Sequence, residues 1–562
     1  MRRTRVVGGT IATALAAGLA IGAAGPVGAA TGPVTHPART CASLVGTGVP
    51  ARVISLPTTG GVVTAATPVA ASGTGPTSVG SYCLVSASLR PVDRAAPEIR
   101  LQVALPDAWN TKALMFGGGG YNGTIPAVTG NVPFGPADEL TPLGRGFATF
   151  ASDSGHQATP GFLPTPSLDG SFLSNAEALR NFSGDALKKT HDAARDLLRS
   201  YYAATPSLTY FAGGSTGGRE ALAVAQRWPR TFDGVISAYP AYNAATLDLY
   251  FGYITQQFLR PGAFPRPAQQ ALLYQAVIAN CDQLDGAADG IISERAGCTF
   301  DPVVLRCPDG ADTGDTCLSD PQIAAIRAVS RGITFPYPLA SGEKGYPGFP
   351  FLDGARMDTT LLGMGTTPPD SPMPITAGYG EQFWDQWVRF AVTRDPSYDS
   401  TTLDPLNPGR WQQRISRLTA LQDVNDPDLR PFADSGGKLL MVHGTADELV
   451  SHRSTVDYHQ RMVAVMGAQR VQAFSRFYLV PGANHANLGA TFQAGWDSLT
   501  ALDRWVTEGR APVNQLVRDK RTDVSRTRPL CEFPTYPRYN GTGNVDFASS
   551  FTCVRSAWGD PA

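Results

Sequence analysis

Charge is scarce in this chain. Asp, Glu, Lys and Arg make up 17% of its 562 residues, against about 25% in an average soluble domain. The 46 cationic and 47 anionic side chains nearly cancel, leaving a formal net charge of −1 and none of the positive field that holds a nucleic acid. With 43% hydrophobic residues, the chain is too apolar to stay disordered. Long apolar runs are lacking after Ala30, where nothing approaches the roughly 20 residues that span a bilayer, so no membrane partner is expected. No Cys-x-x-Cys knuckle occurs, which argues against structural zinc. Histidine is sparse, seven in all, so imidazole chemistry has few candidates.

Glycine and proline are plentiful instead, 60 and 45 residues, which implies many turns and long structured loops. The length exceeds one usual domain of about 100–200 residues, so a large core and a second unit are expected. At the N-terminus, Arg2, Arg3 and Arg5 precede an uncharged stretch from Val6 to Gly25, and Val27 to Ala30 offers the small residues that a signal peptidase reads. Residues 1–30 therefore read as a cleaved secretory signal. A membrane anchor is the competing reading, but the stretch is mostly Ala and Gly and makes a weak permanent span. Export to an oxidising compartment suits the eight cysteines. Pairing sequence neighbours joins Cys41 to Cys83, Cys281 to Cys298, Cys307 to Cys317 and Cys531 to Cys553, one of roughly 105 arrangements open to eight cysteines.

Strand-like runs are expected at Ile99 to Leu105, Ala113 to Phe116, Phe147 to Ala151, Leu208 to Ala212 and Gly234 to Ala238. Helical patterns lie between them at Asn181 to Tyr202 and Glu220 to Trp228. This alternation predicts a mainly parallel sheet with helices on its faces. From Tyr242 to Pro431 the alternation fades, and that stretch reads as an inserted domain, 242–431, splitting the catalytic domain into 31–241 and 432–562. Strand patterns resume at Lys438 to His443 and Ser475 to Val480, with a helix expected over Thr491 to Val506.

Gly213, Gly214, Ser215, Thr216 and Gly217 fit Gly-x-Ser-x-Gly between an expected strand and helix, where a sharp turn lifts a serine hydroxyl above a sheet. A serine needs an imidazole to take its proton and a carboxylate to orient that imidazole. His36, His156 and His191 precede Ser215. Of His443, His452, His459 and His485, His485 alone sits in a short loop directly after an apolar strand. Asp447 follows the preceding strand, with Glu448 and Asp457 as competitors. The order Ser215, Asp447, His485 is that of α/β-hydrolases, not of the chymotrypsin or subtilisin types. An oxyanion needs two N–H donors. Thr216, just after the serine, supplies one, and Gly119, within the run Gly117 to Gly120, is the choice for the other.

A second cluster runs from Cys281 to Ile291. Asp282, Asp285 and Asp289 crowd three carboxylates into eight residues, and Gly286 and Gly290 permit tight winding of the backbone. Hard oxygen donors favour calcium, although the spacing is not that of an EF-hand and a plain acidic turn is the alternative.

These motifs give the chain a resemblance to the tannase and feruloyl esterase family, which includes mono(hydroxyethyl) terephthalate hydrolase. The resemblance rests on Ser-Thr-Gly-Gly-Arg from Ser215, the Gly-Gly-Gly-Gly-Tyr-Asn-Gly run from Gly117, the acidic loop, Arg394 to Asp399, and the ending around Cys531 and Cys553. It implies an α/β-hydrolase core with a large lid inserted after the serine turn, and a triad on Ser215, Asp447 and His485. It also implies a structural calcium held by the side chains of Asp282, Asp285 and Asp289 and the carbonyls of Ala287 and Ile291, with no organic cofactor. Family members usually carry a cysteine just before the serine and another just after the histidine, joined as a disulfide. Here those positions are Gly214 and Ala486, so packing and hydrogen bonds alone must hold His485.

The expected function is a secreted serine esterase of hydroxycinnamic or gallic esters, feruloyl ahead of galloyl, including esters attached to plant polysaccharide or polyphenol. Serine hydrolysis of terephthalate esters, polyesters or peptides is the alternative within enzymes, and a non-catalytic binding protein the alternative outside them. Phe383, Trp384, Trp387 and Phe390 recur near helical spacing in the insertion, either as packing or as a wall against an aromatic acyl group.

Overall fold

The computed structural model describes Met1, residues 34–359 and residues 362–559. Apart from Met1, the expected signal segment 1–30 lies outside the described residues. Ten strands form one sheet: β1 (Gly48–Val49), β2 (Gly61–Val69), β3 (Tyr82–Leu89), β4 (Ile99–Pro106), β5 (Lys112–Phe116), β6 (Ala148–Ser152), β7 (Leu208–Gly214), β8 (Gly234–Ala238), β9 (Lys438–Gly444) and β10 (Ser475–Val480). Their spatial order is β1-β2-β3-β4-β6-β5-β7-β8-β9-β10. Pairing is antiparallel from β1 through to β6 and parallel from β6 to β10. The exchange of β5 and β6 and the run of crossovers beyond it are those of an α/β-hydrolase sheet.

Period-two alternation divides each parallel strand between two cores. Met115, Phe211, Val235, Met441 and Phe477 face one side, where helices α1 (Ala186–Tyr202), α2 (Thr216–Arg227) and later α6 (His452–Met466) cover them. Leu114, Tyr210, Ile236, Leu440 and Tyr478 face the other, beneath the last helix, α7 (Ser498–Glu508). Between β8 and β9 run α3 (Ala244–Phe258), α4 (Pro267–Cys281) and α5 (Tyr379–Gln386). With the segments between and after them they build a third apolar cluster, including Phe258, Phe351, Trp384 and Ile415. Each cysteine is joined to its sequence neighbour, Cys41–Cys83, Cys281–Cys298, Cys307–Cys317 and Cys531–Cys553, each link adding roughly 2–4 kcal/mol by restricting the unfolded chain.

Two expected helices change shape. The pattern over Asn181 to Tyr202 is interrupted at Gly184, whose φ of 142° no helix accommodates. The helix expected from Thr491 starts at Ser498. Phe492, Ala494 and Trp496 are buried on an extended segment, Ala494–Gly495 pairs with Arg518 and Asp519, and Asp497 Oδ1 caps the helix by accepting from Thr500 N–H. Spacing of apolar residues alone could not separate an alternating segment from the helix it leads into.

Candidate active site

β7 ends at Gly214 and α2 begins at Thr216, so Ser215 occupies the turn, with φ 60° and ψ −124°. That conformation costs of the order of 1–3 kcal/mol and persists only where its surroundings enforce it. The enforcing contact is backbone on backbone: Gly217 N–H donates to Gly118 O at 2.8 Å, and a Cβ on Gly217 would meet that same oxygen at 2.7 Å. Ser215 is thereby held half-exposed at the sheet's C-terminal edge.

The loops after β9 and β10 bring the other two groups to it. His485 Nε2 lies 3.0 Å from Ser215 Oγ, and its Nδ1 lies 2.9 and 3.1 Å from the two carboxylate oxygens of Asp447. Asp447 is fully buried and its Oδ1 accepts the N–H groups of Leu449 and Val450 at 2.9 and 2.8 Å. Burial alone would raise its pKa, but the imidazoles of His485 and His443 hold the carboxyl well below the usual range. The competitors lie elsewhere. Asp457 pairs with Arg461 on α6, and Glu448 accepts from the backbone N–H of His485 at 3.3 Å without touching its ring.

His443 was not singled out by sequence. Its Nε2 lies 3.1 Å from Asp447 Oδ2 and 2.9 Å from Val450 O, and its Nδ1 lies 2.8 Å from Thr455 Oγ1. Nε2–H can serve both acceptors while Nδ1 accepts from Thr455, so the ring positions the carboxylate at Oδ2, the oxygen it shares with His485 Nδ1. A histidine buried at the end of a central strand carries no sequence signal that separates it from core packing.

Glu448 is pushed up to about 8, first by burial and then by the Asp447 charge. The folded protein therefore keeps a proton that the unfolded chain gives up once pH passes about 4.5. Stability accordingly falls as pH rises between those values. Glu448→Gln is expected to flatten this fall, read as melting temperature at about pH 5, 6.5 and 8. The flattening is partial, because buried Glu381 is also pushed up to about 8, and Asp153 and Asp423 to about 7. Parallel curves for the variant and the parent would refute this origin of the slope.

Beside Ser215, α2 holds the glycine run in place. Glu220 accepts from Gly118 N–H at 3.0 Å and from Asn122 Nδ2 at 2.7 Å, and Thr216 Oγ1 donates to Gly120 O at 2.6 Å. Gly117 N–H is used by Ala212 O. Among the described residues, the amides of Gly119, Gly120 and Thr216 have no acceptor. Thr216 and Gly120 line the cavity at Ser215, whereas Gly119 does not.

The profile described as tannase and feruloyl esterase matches residues 83–554. The chain belongs to the tannase and feruloyl esterase family. Membership makes it a carboxylic-ester hydrolase. An uncharacterized esterase of Agrobacterium fabrum is 36% identical over 541 residues, covering 94% of this chain and 95% of that one. Mono(2-hydroxyethyl) terephthalate hydrolase of Piscinibacter sakaiensis is 29% identical over 524 residues, covering 84% and 85%. Among solved structures, feruloyl esterase B from Aspergillus oryzae shares the fold with a TM-score of 0.72 at 23% identity, covering 89% of this chain and 98% of that one. Tannin acyl hydrolase from Aspergillus niger does so with a TM-score of 0.66 at 20% identity, covering 89% and 92%.

This family member fills the place of the absent Gly214 side chain with a ring. A Cβ on Gly214 would lie 2.4 Å from Cζ and the hydroxyl of Tyr239. The Tyr239 ring packs edge-on against His485, with centroids 4.9 Å apart. Ala486 adopts φ 56° in the turn that carries His485. Contact with an aromatic edge and the Asp447 bonds hold the imidazole here.

In the acidic loop, Asp282 Oδ2 accepts from Gly290 N–H at 3.1 Å, while Oδ1 is buried without a partner. Asp285 accepts from the N–H groups of Ala287 and Ser293 at 2.9 and 3.1 Å. Asp289 accepts from Ile291 N–H and pairs with Arg528. Burial pushes the carboxyls of Asp282 and Asp285 up, Asp285 to about 6, and the Asp289 charge adds to it. The carbonyls of Ala287 and Ile291 accept no hydrogen bond among the described residues. Three hard oxygens without donors suit a calcium ion, although no three Asp, Glu, His or Cys side chains among the described residues form a metal-type cluster.

A narrow cavity of about 40 Å³ opens at Ser215. Phe182, Phe251 and Phe383 wall it. The aromatic stripe of α5 and the turn that continues it thus divides its roles: Phe383 faces the cavity, while Trp384 and Trp387 are fully buried, donating to Ser400 O and Gln422 Oε1.

Proposed function

We propose that this esterase is a secreted serine hydrolase of aromatic-acid esters, acting through an acyl-enzyme on Ser215. The observation that carries this reading is the continuous contact from Ser215 Oγ through His485 to Asp447 at the mouth of a phenylalanine-walled cavity. His485 Nε2 takes the Oγ proton as Oγ attacks the ester carbonyl, and Asp447 supports the imidazolium that forms. The amides of Thr216 and of Gly119 or Gly120 receive the oxyanion. His485 then gives its proton to the departing alkoxide, and water repeats the sequence to free the acid. The segment 242–431, which supplies Phe251 and Phe383, serves as the lid.

Feruloyl and galloyl esters are the first substrates to test, because relatives bear feruloyl esterase names. The purified chain is expected to hydrolyse methyl ferulate and methyl gallate faster than a peptide amide. Faster amide cleavage would reverse the assignment to a peptidase. Secretion rests on the N-terminal segment and the four disulfides. Attachment of the acid to plant polysaccharide or polyphenol suits an exported enzyme.

The same proposal places a structural calcium at the acidic loop, held by Asp282 and Asp285, with Asp289 beside them, and by the carbonyls of Ala287 and Ile291. A bound ion stabilises the folded state by an amount that grows with the logarithm of its free concentration relative to its dissociation constant. Chelation is expected to lower the melting temperature by several degrees and Asp282→Ala to remove that sensitivity. A melting temperature indifferent to chelator and to added calcium would contradict the site.

A further inference from the structure

Asp248 lies on α3 and lines the same cavity as Ser215. Only 5% of it is exposed. Its Oδ2 is 3.4 Å from the hydroxyl of Tyr121, and that hydroxyl is 3.2 Å from Phe383 O. Both contacts are long, a single phenolic proton would have to be shared between them, and the carbonyl can only accept. Both contacts are satisfied together when Tyr121 donates to Phe383 O and a protonated Asp248 donates from Oδ2 to Tyr121. Burial, with the Asp423 charge adding to it, pushes the Asp248 carboxyl well above its ordinary range. Oδ1 then remains as a carbonyl-type acceptor with no partner among the described residues.

The cavity's other chemistry narrows what can meet that oxygen. Among the described residues lining it there is no Lys, Arg or His. Arg219 sits behind Phe182, its guanidinium 4.5 Å from that ring, with its two terminal nitrogens donating to Gln422 O and Phe182 O and its Nε buried without a partner among the described residues. A second carboxylate on the acyl group would be buried without a cation, at a cost of several kcal/mol.

Resting on the aromatic-ester reading above, we propose that Asp248 is the specificity-determining residue of the acyl cavity: its Oδ1 accepts a phenolic hydroxyl on the substrate ring, and the absence of a facing cation selects against acyl groups with a free carboxylate. A buried acceptor left unpaired by the wrong substrate costs more than a missing apolar contact, which is the physical basis of such discrimination.

The test is a ladder of methyl esters of cinnamic, 4-hydroxycinnamic and 4-methoxycinnamic acid, with monomethyl terephthalate against methyl 4-hydroxybenzoate, compared by kcat/KM. The wild type is expected to favour the phenol over the methoxy analogue by at least about tenfold, and the hydroxybenzoate over the terephthalate by at least as much. Asp248→Leu, which removes the acceptor, should collapse the phenol-to-cinnamate ratio towards unity. Asp248→Asn, which keeps an acceptor oxygen and a donor for Tyr121, should hold it within about threefold of the wild type. An undiminished ratio in Asp248→Leu, or equal losses on every ester, overturns the inference. Should that variant not fold, equal wild-type rates on phenol and methoxy esters overturn it alone. Failure of the broader reading looks different: no member of the ladder is hydrolysed at all.

Discussion

Ser215→Ala is expected to lower kcat for ester hydrolysis by about 10⁶-fold, the loss seen when the nucleophile of a serine triad is removed. The side chain of Ser215 makes one hydrogen bond in the resting protein, to His485 Nε2. The strained backbone at that position is enforced by Gly217 and Gly118, and alanine adopts it at a similar cost to serine. Melting temperature should therefore change little while turnover disappears. Substrate should still bind, because the cavity walls are untouched. A variant that keeps even a tenth of its activity would mean that the nucleophile is elsewhere.

Asp447→Asn is expected to cost about 10⁴-fold in kcat, because an amide presents an N–H where the carboxylate accepted one and so favours the wrong tautomer of the histidine. Here the effect is compounded. Oδ1 of Asp447 is committed to the N–H groups of Leu449 and Val450, so the amide nitrogen of an Asn at this position must take the side shared by His443 Nε2 and His485 Nδ1. Two ring nitrogens that donated to oxygen would then face a donor. A loss of less than about tenfold would show that Asp447 does not orient the base. Glu448→Gln tests the neighbouring carboxyl separately, since its expected effect is on the pH dependence of stability and not on the tautomer.

Much of this site was legible because its chemistry is carried by residues at strand ends. Gly-x-Ser-x-Gly between a strand and a helix, and an Asp and a His after β9 and β10, the last two strands of the sheet, are local patterns, and the parallel sheet turns them into neighbours. What could not be read were contacts made by folding alone. Tyr239 reaches Gly214 and His485 across two strands. His443 looks like any buried strand residue, Ala212 and Glu220 take the amides of Gly117 and Gly118 out of the glycine run, and Gly120 rather than Gly119 lines the cavity. Helix ends were misread where an alternating segment preceded the true cap, as at Ser498. Asp248 carried no motif, and its role rests on what shares the cavity with it.

The most direct measurement is to label the purified enzyme with diethyl 4-nitrophenyl phosphate, which traps a serine activated by a neighbouring imidazole, and to locate the adduct by peptide mass spectrometry. One adduct is expected, on Ser215, forming in step with loss of ester hydrolysis and absent from His485→Ala. An adduct on another residue that accounts for the lost activity, or an enzyme that hydrolyses esters at full rate while unlabelled at Ser215, would contradict the account.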